Sequence, residues 1–221
     1  MKDSAFKLRQ LTVMAALVAM AFIVSLFRIP VVLFLELELK DVLLVISGFV
    51  FSPIVGIICS VTTAIIEFLL NAGSNDTQFF GLMMNIVSSC LFVGTSSIIY
   101  HRHRTLTSAI IALICGAIVM TGGNLLWDYF IIPLYMKGVT REVVAPMLLS
   151  AFLPFNLLKG ALNAVLTMLL YKPLTSALRS AKLLPSTSKS TNAKNLLPVT
   201  IISLLLLIAL SLTLLAWKGI I

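Results

Sequence analysis

The chain is a succession of strongly apolar runs, most of them about 20 residues long, closed by short polar or proline-bearing stretches. Coiled as an α-helix at about 1.5 Å per residue, such a run matches the roughly 30 Å hydrocarbon core of a bilayer. Lipid offers no hydrogen-bond partner, so the backbone of each run must satisfy itself within a helix. The chain therefore reads as an all-α integral membrane protein. Charged residues make up 11% of it and hydrophobic ones 60%, where a soluble protein carries roughly a quarter charged. Its 221 residues leave room for six or seven crossings in one small bundle and none for a soluble catalytic domain.

In chain order the runs predict helices over residues 8–27, 42–51, 54–70, 79–100, 107–132 and 151–178. Asp41 caps the short second helix, Ser52-Pro53 breaks it, and Gly122-Gly123 softens the fifth. A further apolar run over 197–217 is long enough to span and is placed at the periphery. The domain reading is a six-helix unit over 1–180, a flexible Ser/Thr/Lys/Asn linker over 181–196, and a seventh, C-terminal transmembrane helix within 197–221. Between the first two helices Pro30 stops the helix, and Leu35-Glu36-Leu37-Glu38-Leu39 alternates apolar with acidic. That period of two predicts extended backbone, either a cover over a cavity mouth or a solvated connector. Residues 71–78 read as an exposed turn and His101-Arg102-His103-Arg104 as a basic turn at a membrane surface. Pro133-Leu134-Tyr135 reads as the start of a loop that continues past Arg141-Glu142 to Pro146.

The formal charge of +8 raises nucleic-acid binding, but the basic residues sit at the ends of runs, where the positive-inside rule puts them. One face collects Lys2, Lys7, Arg9, Arg102, Arg104, Lys172, Arg179, Lys182, Lys189 and Lys194. The other has only Arg28, Lys40, Lys137, Arg141 and Lys218. The asymmetry predicts a multi-pass protein with a cytoplasmic N-terminus. The first run lacks a small-residue cleavage site and is read as a retained helix rather than a signal peptide. Cys59, Cys90 and Cys115 lie inside apolar runs without CxxC spacing and are read as small core residues. His101 and His103, flanked by arginines and without a third ligand, make a poor metal site.

Lys159 is the costly residue. A charge near the bilayer centre costs from about 2.5 to more than 10 kcal/mol, so it requires a partner, a watery cavity or a polar ligand. Asn156, Lys159 and Asn163 recur at i, i+3 and i+7 and share one helical stripe. Glu67, Asn85, Asn124 and Asp128 are further polar residues within the spans, mostly in the halves assigned to the outside. Together they predict an outward-facing pocket rather than a through-pore. Three of these also have a plainer explanation: Glu67 snorkels to the interface, Asn85 joins Ser88 and Ser89 in binding helices together, and Asp128 forms a buried pair with Lys159. An amide and an amine suit a ligand with carbonyl and ring-nitrogen acceptors and N–H donors, and Phe155, Trp127, Tyr129 and Phe34 are available to stack on a flat ring. The sequence has no HExxH, GxSxG or Walker motif and no histidine within a span, so no catalytic residue, metal or resident cofactor is assigned. Paired broken helices of the kind that mark autonomous carriers are also lacking.

Several segments carry a family likeness: Ala15-x-x-x-Ala19, Phe34-Leu35 through Lys40-Asp41, Gly48-Phe49-x-Phe51-Ser52-Pro53, and Gly81-Leu82-Met83-Met84-Asn85. Further on come Pro133-Leu134-Tyr135-Met136, Arg141-Glu142-x-Val144 and, most specific, Pro154-Phe155-Asn156-Leu157-Leu158-Lys159-Gly160. Over residues 11–179 the chain resembles the substrate-binding S components of energy-coupling factor (ECF) vitamin transporters, most of all their riboflavin-specific members. The resemblance implies a six-helix core that takes riboflavin from outside the cell. It also implies a transmembrane coupling protein and two cytoplasmic ATPases as partners, and toppling of the bundle in the bilayer to release the vitamin inward. By the same resemblance Asn156 and Lys159 contact the isoalloxazine edge, and the segment holding Leu35, Leu37 and Glu38 forms a lid. Ala15 and Ala19 then meet the coupling protein. Asn124, Asn85, Asp128 and Phe155 complete the candidate substrate site. Two positions depart from the pattern: Asp128 stands where relatives tend to carry Asn, and Leu37-Glu38 where they often read Tyr-Asp. Both bear on which ligand is bound. The alternatives are an S component for another flat heterocycle, and a structural membrane protein in which Asp128 and Lys159 only neutralise each other.

Overall fold

A computed structural model describes residues 2–32, 35–70, 76–136, 138–180 and 203–212. Among these residues the chain forms helices α1 (Lys2–Ser25), α2 (Asp41–Val50), α3 (Pro53–Leu70), α4 (Asp76–His103), α5 (Leu106–Tyr135), α6 (Arg141–Met147), α7 (Leu153–Ser180) and α8 (Ser203–Leu212). Strands β1 (Ile29–Val32) and β2 (Leu35–Leu37) pair antiparallel, Ile29 opposite Leu37 and Pro30 opposite Glu36. The alternation of apolar and acidic residues thus becomes a hairpin between α1 and α2, with Leu37 buried and Glu36 exposed.

Five helical segments are long and apolar enough to cross a bilayer, α6 and α7 counting as one continuous segment over Arg141–Ser180, and α2 is the short sixth member. α2 is buried along nearly its whole length. It packs on α1, α3, α4 and α7, while α4 and α5 form the most extensive helix pair. The side chains left bare on α3, α5 and α7 are large and apolar, among them Ile54, Leu69, Ile118, Leu126 and Leu170, as a lipid-facing surface requires.

Small residues set the helix spacing, since helices in lipid associate by close packing rather than by exclusion from water. A Cβ on Gly56 of α3 would lie 2.9 Å from the Gly48 Cα of α2, so the two backbones touch there. A Cβ on Gly160 of α7 would lie 2.7 Å from the Ala117 Cβ of α5. The main core joins Leu44, Val45, Phe49, Phe92, Val93, Leu113 and Met120. A second cluster of Ile132, Val144, Phe152 and Phe155 holds α5 to the α6–α7 junction.

Both ends of the loop expected over 133–146 are helix. Pro133 lies inside α5, which continues to Tyr135, and Arg141 opens α6 instead of lying in a loop. Proline is tolerated in membrane helices because neighbouring groups and local adjustments satisfy the carbonyl it orphans. Between Pro146 and Pro154 the adjustment is explicit: residues Leu148–Phe152 form a π turn that joins α6 to α7, the kind of one-residue expansion that often marks a functional stretch. The basic stretch is helical as well, His101–His103 forming the last turn of α4. His101 Nε2 lies 2.8 Å from the Gly48 carbonyl of α2, and the chain reverses at Arg104 with φ of 48°. Cys59 is buried, and Cys90 and Cys115 are half-buried. The expected linker and the ends of the seventh run, 181–202 and 213–221, lie outside the described residues.

Candidate functional site

The hairpin and the ends of α3, α4, α5 and α7 enclose a cavity of about 400 Å³, within the range of small-molecule sites. Behind the wall stands Lys40, the residue that precedes α2, bound to two of the carboxylates that line the cavity, Glu38 and Glu67. Lys40 is 1% exposed, and its ammonium lies 2.8 Å from Glu38 Oε2 and also pairs with Glu67 Oε2 of α3. Arg28 continues the chain of charge, with Nε 3.4 Å from Glu38 Oε1 and a guanidinium nitrogen 3.4 Å from Glu36 Oε2. At the other end Asn85 Nδ2 of α4 donates to Glu67 Oε2 at 3.0 Å. Carboxylates and cations therefore alternate from Glu36 to Glu67, as burial of so many charges demands. Burial pushes the Glu38 carboxyl up, but Lys40, Lys159 and Arg28 together outweigh it and hold the group below the ordinary 4.5. Burial likewise pushes Lys40 down, and Glu38, Glu67 and Asp41 hold it above 10.5.

The opposite wall is built from amides. Asn124 Nδ2 of α5 donates to Ser88 Oγ at 3.0 Å and to Asn156 Oδ1 of α7 at 2.7 Å. Asn156 Nδ2 in turn donates to the Phe152 carbonyl at 2.9 Å, so the π turn helps fix the amide. Lys159 is 9% exposed and lines the cavity one turn further along α7. Among the described residues it forms no hydrogen bond or ion pair, although its charge is felt at Glu38. Asn124 Oδ1 and Glu67 Oε1 are buried without a donor among the described residues. Residues of the wall thus hold two acceptors and one ammonium that have no partner among the described residues, a set whose chemistry is complementary to a ligand with both N–H or O–H donors and carbonyl acceptors. Phe155, Phe68 and Tyr135 supply apolar and aromatic surface, Tyr135 stacking on Phe80 with ring centroids 5.0 Å apart.

Six of the expected site residues therefore meet at one cavity: Asn85, Asn124, Asn156, Lys159, Phe155 and Glu38. Leu37 does not line it; the side chain is buried with Leu158 and Leu162 behind the wall. Of Leu35 only the backbone is placed, opposite Val32, and its side chain and Phe34 lie outside the described residues. Asp128 is not in the cavity wall and does not pair with Lys159; it is 1% exposed, and neither of its oxygens has a donor among the described residues. One helical turn separates it from Asn124, and that turn decides which of the two reaches the cavity. Tyr129 faces away as well, its ring 5.8 Å from the Arg141 guanidinium, and Trp127 is absent from the wall. Glu67 does not snorkel: it is 4% exposed and held by Lys40 and Asn85. Sequence reasoning missed Arg28 and Glu36 in the wall and Lys40 behind it, and the signal for Lys40 was Glu67 itself, since a carboxylate within a span calls for a cation. Asn163 turns from the cavity toward Asp41, its Nδ2 3.5 Å from Asp41 Oδ2, and Ser89 Oγ donates to the other Asp41 oxygen at 2.6 Å. Ala15 and Ala19 are exposed on α1, remote from the cavity wall.

A multi-pass membrane bundle with a charge-balanced, amide-lined cavity of small-molecule size is a membrane-embedded solute-binding protein. A family profile described as "ECF transporter, substrate-specific component" matches residues 9–171, and the chain belongs to that family. It is 28% identical over 179 residues to the riboflavin transporter RibU of Staphylococcus aureus, across 77% of this chain and 93% of the relative. It is 28% identical over 181 residues to RibU of Streptococcus thermophilus, across 77% and 84% respectively. To the riboflavin transporter FmnP of Bacillus subtilis it is 22% identical over 187 residues, across 79% and 98%. A solved S component of a bacterial ECF transporter superposes with a TM-score of 0.66 at 28% identity, covering 78% of this chain and 99% of that one.

Proposed function

We propose that this chain captures riboflavin from outside the cell and delivers it inward in association with a coupling membrane protein and two ATPase subunits. The observation that carries the reading is the pairing, in one cavity, of the Asn124–Asn156 amides with an otherwise unpaired Lys159. The isoalloxazine ring system presents an imide N–H between two carbonyls and adjacent ring nitrogens. Lys159 donates to a carbonyl or ring nitrogen, Asn124 Oδ1 and Glu67 Oε1 accept from N–H or ribityl hydroxyls, and Phe155 lies against the ring. The relatives named as riboflavin transporters support the same ligand.

The hairpin is the lid of this site. It contributes Glu36 and Glu38 to the cavity wall and is tied by ion pairs to Arg28 and Lys40, so opening it breaks charge pairs that re-form on closing. The N-terminus lies in the cytoplasm, which sets the cavity and hairpin toward the outside. The exposed small side chains of Ala15 and Ala19 then form part of the contact with the coupling protein. Protein purified from riboflavin-fed cells carries the visible absorbance of a flavin and quenches flavin fluorescence on titration. Folded protein that does neither, while a thermal-shift screen selects a different heterocycle, replaces riboflavin with that ligand. Failure of every flat heterocycle to shift the melt removes the proposal.

A further inference from the structure

Helix α8 lies beyond the stretch matched by the family profile, which ends at residue 171, and it packs on the apolar cluster behind the cavity wall. It turns one stripe inward: Ser203 is buried, and Leu207 and Leu210, at i+4 and i+7, pack on the cluster of Leu37, Leu158 and Leu162. The remaining leucines and isoleucine of the helix, Leu204, Leu205, Leu206, Ile208 and Leu212, are exposed. Leu37 belongs to strand β2 of the hairpin and Leu158 is the neighbour of Lys159 on α7, so Leu207 and Leu210 pack on a cluster that joins the hairpin to α7.

We infer that α8 is an intramolecular latch that holds the hairpin closed against α7. Helices in lipid gain nothing from leaving an apolar solvent, so α8 stays in place through direct packing of its Ser203, Leu207 and Leu210 stripe. Opening the hairpin requires Leu37 to leave that cluster, and those contacts are added to the ion pairs of Arg28 and Lys40. The latch slows ligand exit and raises the barrier that the transport partner must overcome to release the cargo. It is a property of the fold with or without ligand. Its link to vitamin retention rests on the proposed lid.

The test is hydrogen–deuterium exchange in full-length protein in nanodiscs, without ligand, comparing the parent with Leu207→Ala/Leu210→Ala and with a chain ended after residue 196. Loss of the leucine contacts raises exchange of the 29–40 amides by about tenfold while the α4 and α5 amides stay protected. Hairpin exchange equal to the parent in both variants overturns the latch. A rise spread over α4 and α5 also overturns it, because α8 is then a general packing element. A parallel measurement of flavin dissociation separates the two ideas. Absence of flavin binding in the parent removes the riboflavin reading and leaves the exchange result standing. Binding with an unchanged off-rate in a variant whose hairpin exchanges faster shows that the hairpin does not gate the site, and so overturns the latch's role in retention.

Discussion

Replacing Lys40 by Met tests the charge chain that closes the cavity. Lys40 is 1% exposed and neutralises Glu38 and Glu67, themselves 8% and 4% exposed. Met keeps the packing volume of the stem but removes the cation. Glu38 retains Arg28 at 3.4 Å, whereas Glu67 keeps only the Asn85 N–H at 3.0 Å. A buried carboxylate left without its cation costs about 3–5 kcal/mol, and protonation of the carboxyl limits the loss to the lower end. Unfolding free energy in detergent should fall by about 3 kcal/mol. Riboflavin affinity should weaken by about ten- to a hundredfold if half to all of that loss is borne by the closed hairpin. The second arm is Lys40→Met with Glu67→Gln, which removes charge from both sides and keeps an acceptor for Asn85. It should recover at least about 1.5 kcal/mol of the single-variant loss, the sign of a direct coupling. A single variant as stable as the parent, or a double variant no better than the single, refutes the claim that a buried ion pair holds this wall.

Acid should open the same wall: the Glu38 carboxyl sits below its ordinary 4.5, so its contribution is complete above that value and is lost as pH falls through the lowered one. Flavin affinity should then be flat from about pH 5 to 8 and decline below about pH 4, which equilibrium titration reads directly. Asn156→Ala removes the acceptor that fixes Asn124 and should weaken riboflavin binding by about 1.5–3 kcal/mol, and the buried groups it leaves unpaired should lower ligand-free stability by about 1–3 kcal/mol in a denaturation measurement. Gly56→Ala places a methyl 2.9 Å from the Gly48 Cα and should destabilise the bundle by about 1–3 kcal/mol, whereas Gly122→Ala, with open space around its Cβ, should be silent in the same melt.

Much of this architecture was legible from apolar run length and period. The spans follow from the thickness of the bilayer, and the hairpin from the period of two at Leu35 to Leu39. Asn156 and Lys159 declared themselves because a polar stripe in a membrane helix is too costly to be incidental. Pairing across helices was not legible. Lys40 and Glu67 are 27 positions apart, and nothing local distinguishes Glu67 held by Lys40 from Glu67 reaching for water. Asp128 and Lys159 invited pairing by charge alone, but on the face of α5 that Asn124 and Asp128 share it is Asn124 that lines the cavity, while Asp128, one turn on, does not line it and makes no pair with Lys159. Pro133 and Pro146 read as loop residues because water-based rules end helices at proline, whereas in the bundle the helices run through them. Asn163, third member of the polar stripe, is drawn to Asp41 and Ser89, a preference that only the position of α2 decides.

The π turn over Leu148–Phe152 carries a consequence for how this sequence tolerates insertion and loss. It holds one more residue per turn than α6 and α7 do, so the two helices are out of phase by a single position. Removing any one residue there restores a plain α ladder and rotates α6 against α7 by about 100°, the angular step of one residue. Val144, buried with Ile132 and Phe155, and the pair Asn156 and Lys159 cannot then all keep their facing: one helix must give up its hydrophobic seat or the other its amide and ammonium. The reading frame of the binding wall is thus stored in the length of a five-residue turn that meets the wall through the Phe152 carbonyl, which accepts from Asn156.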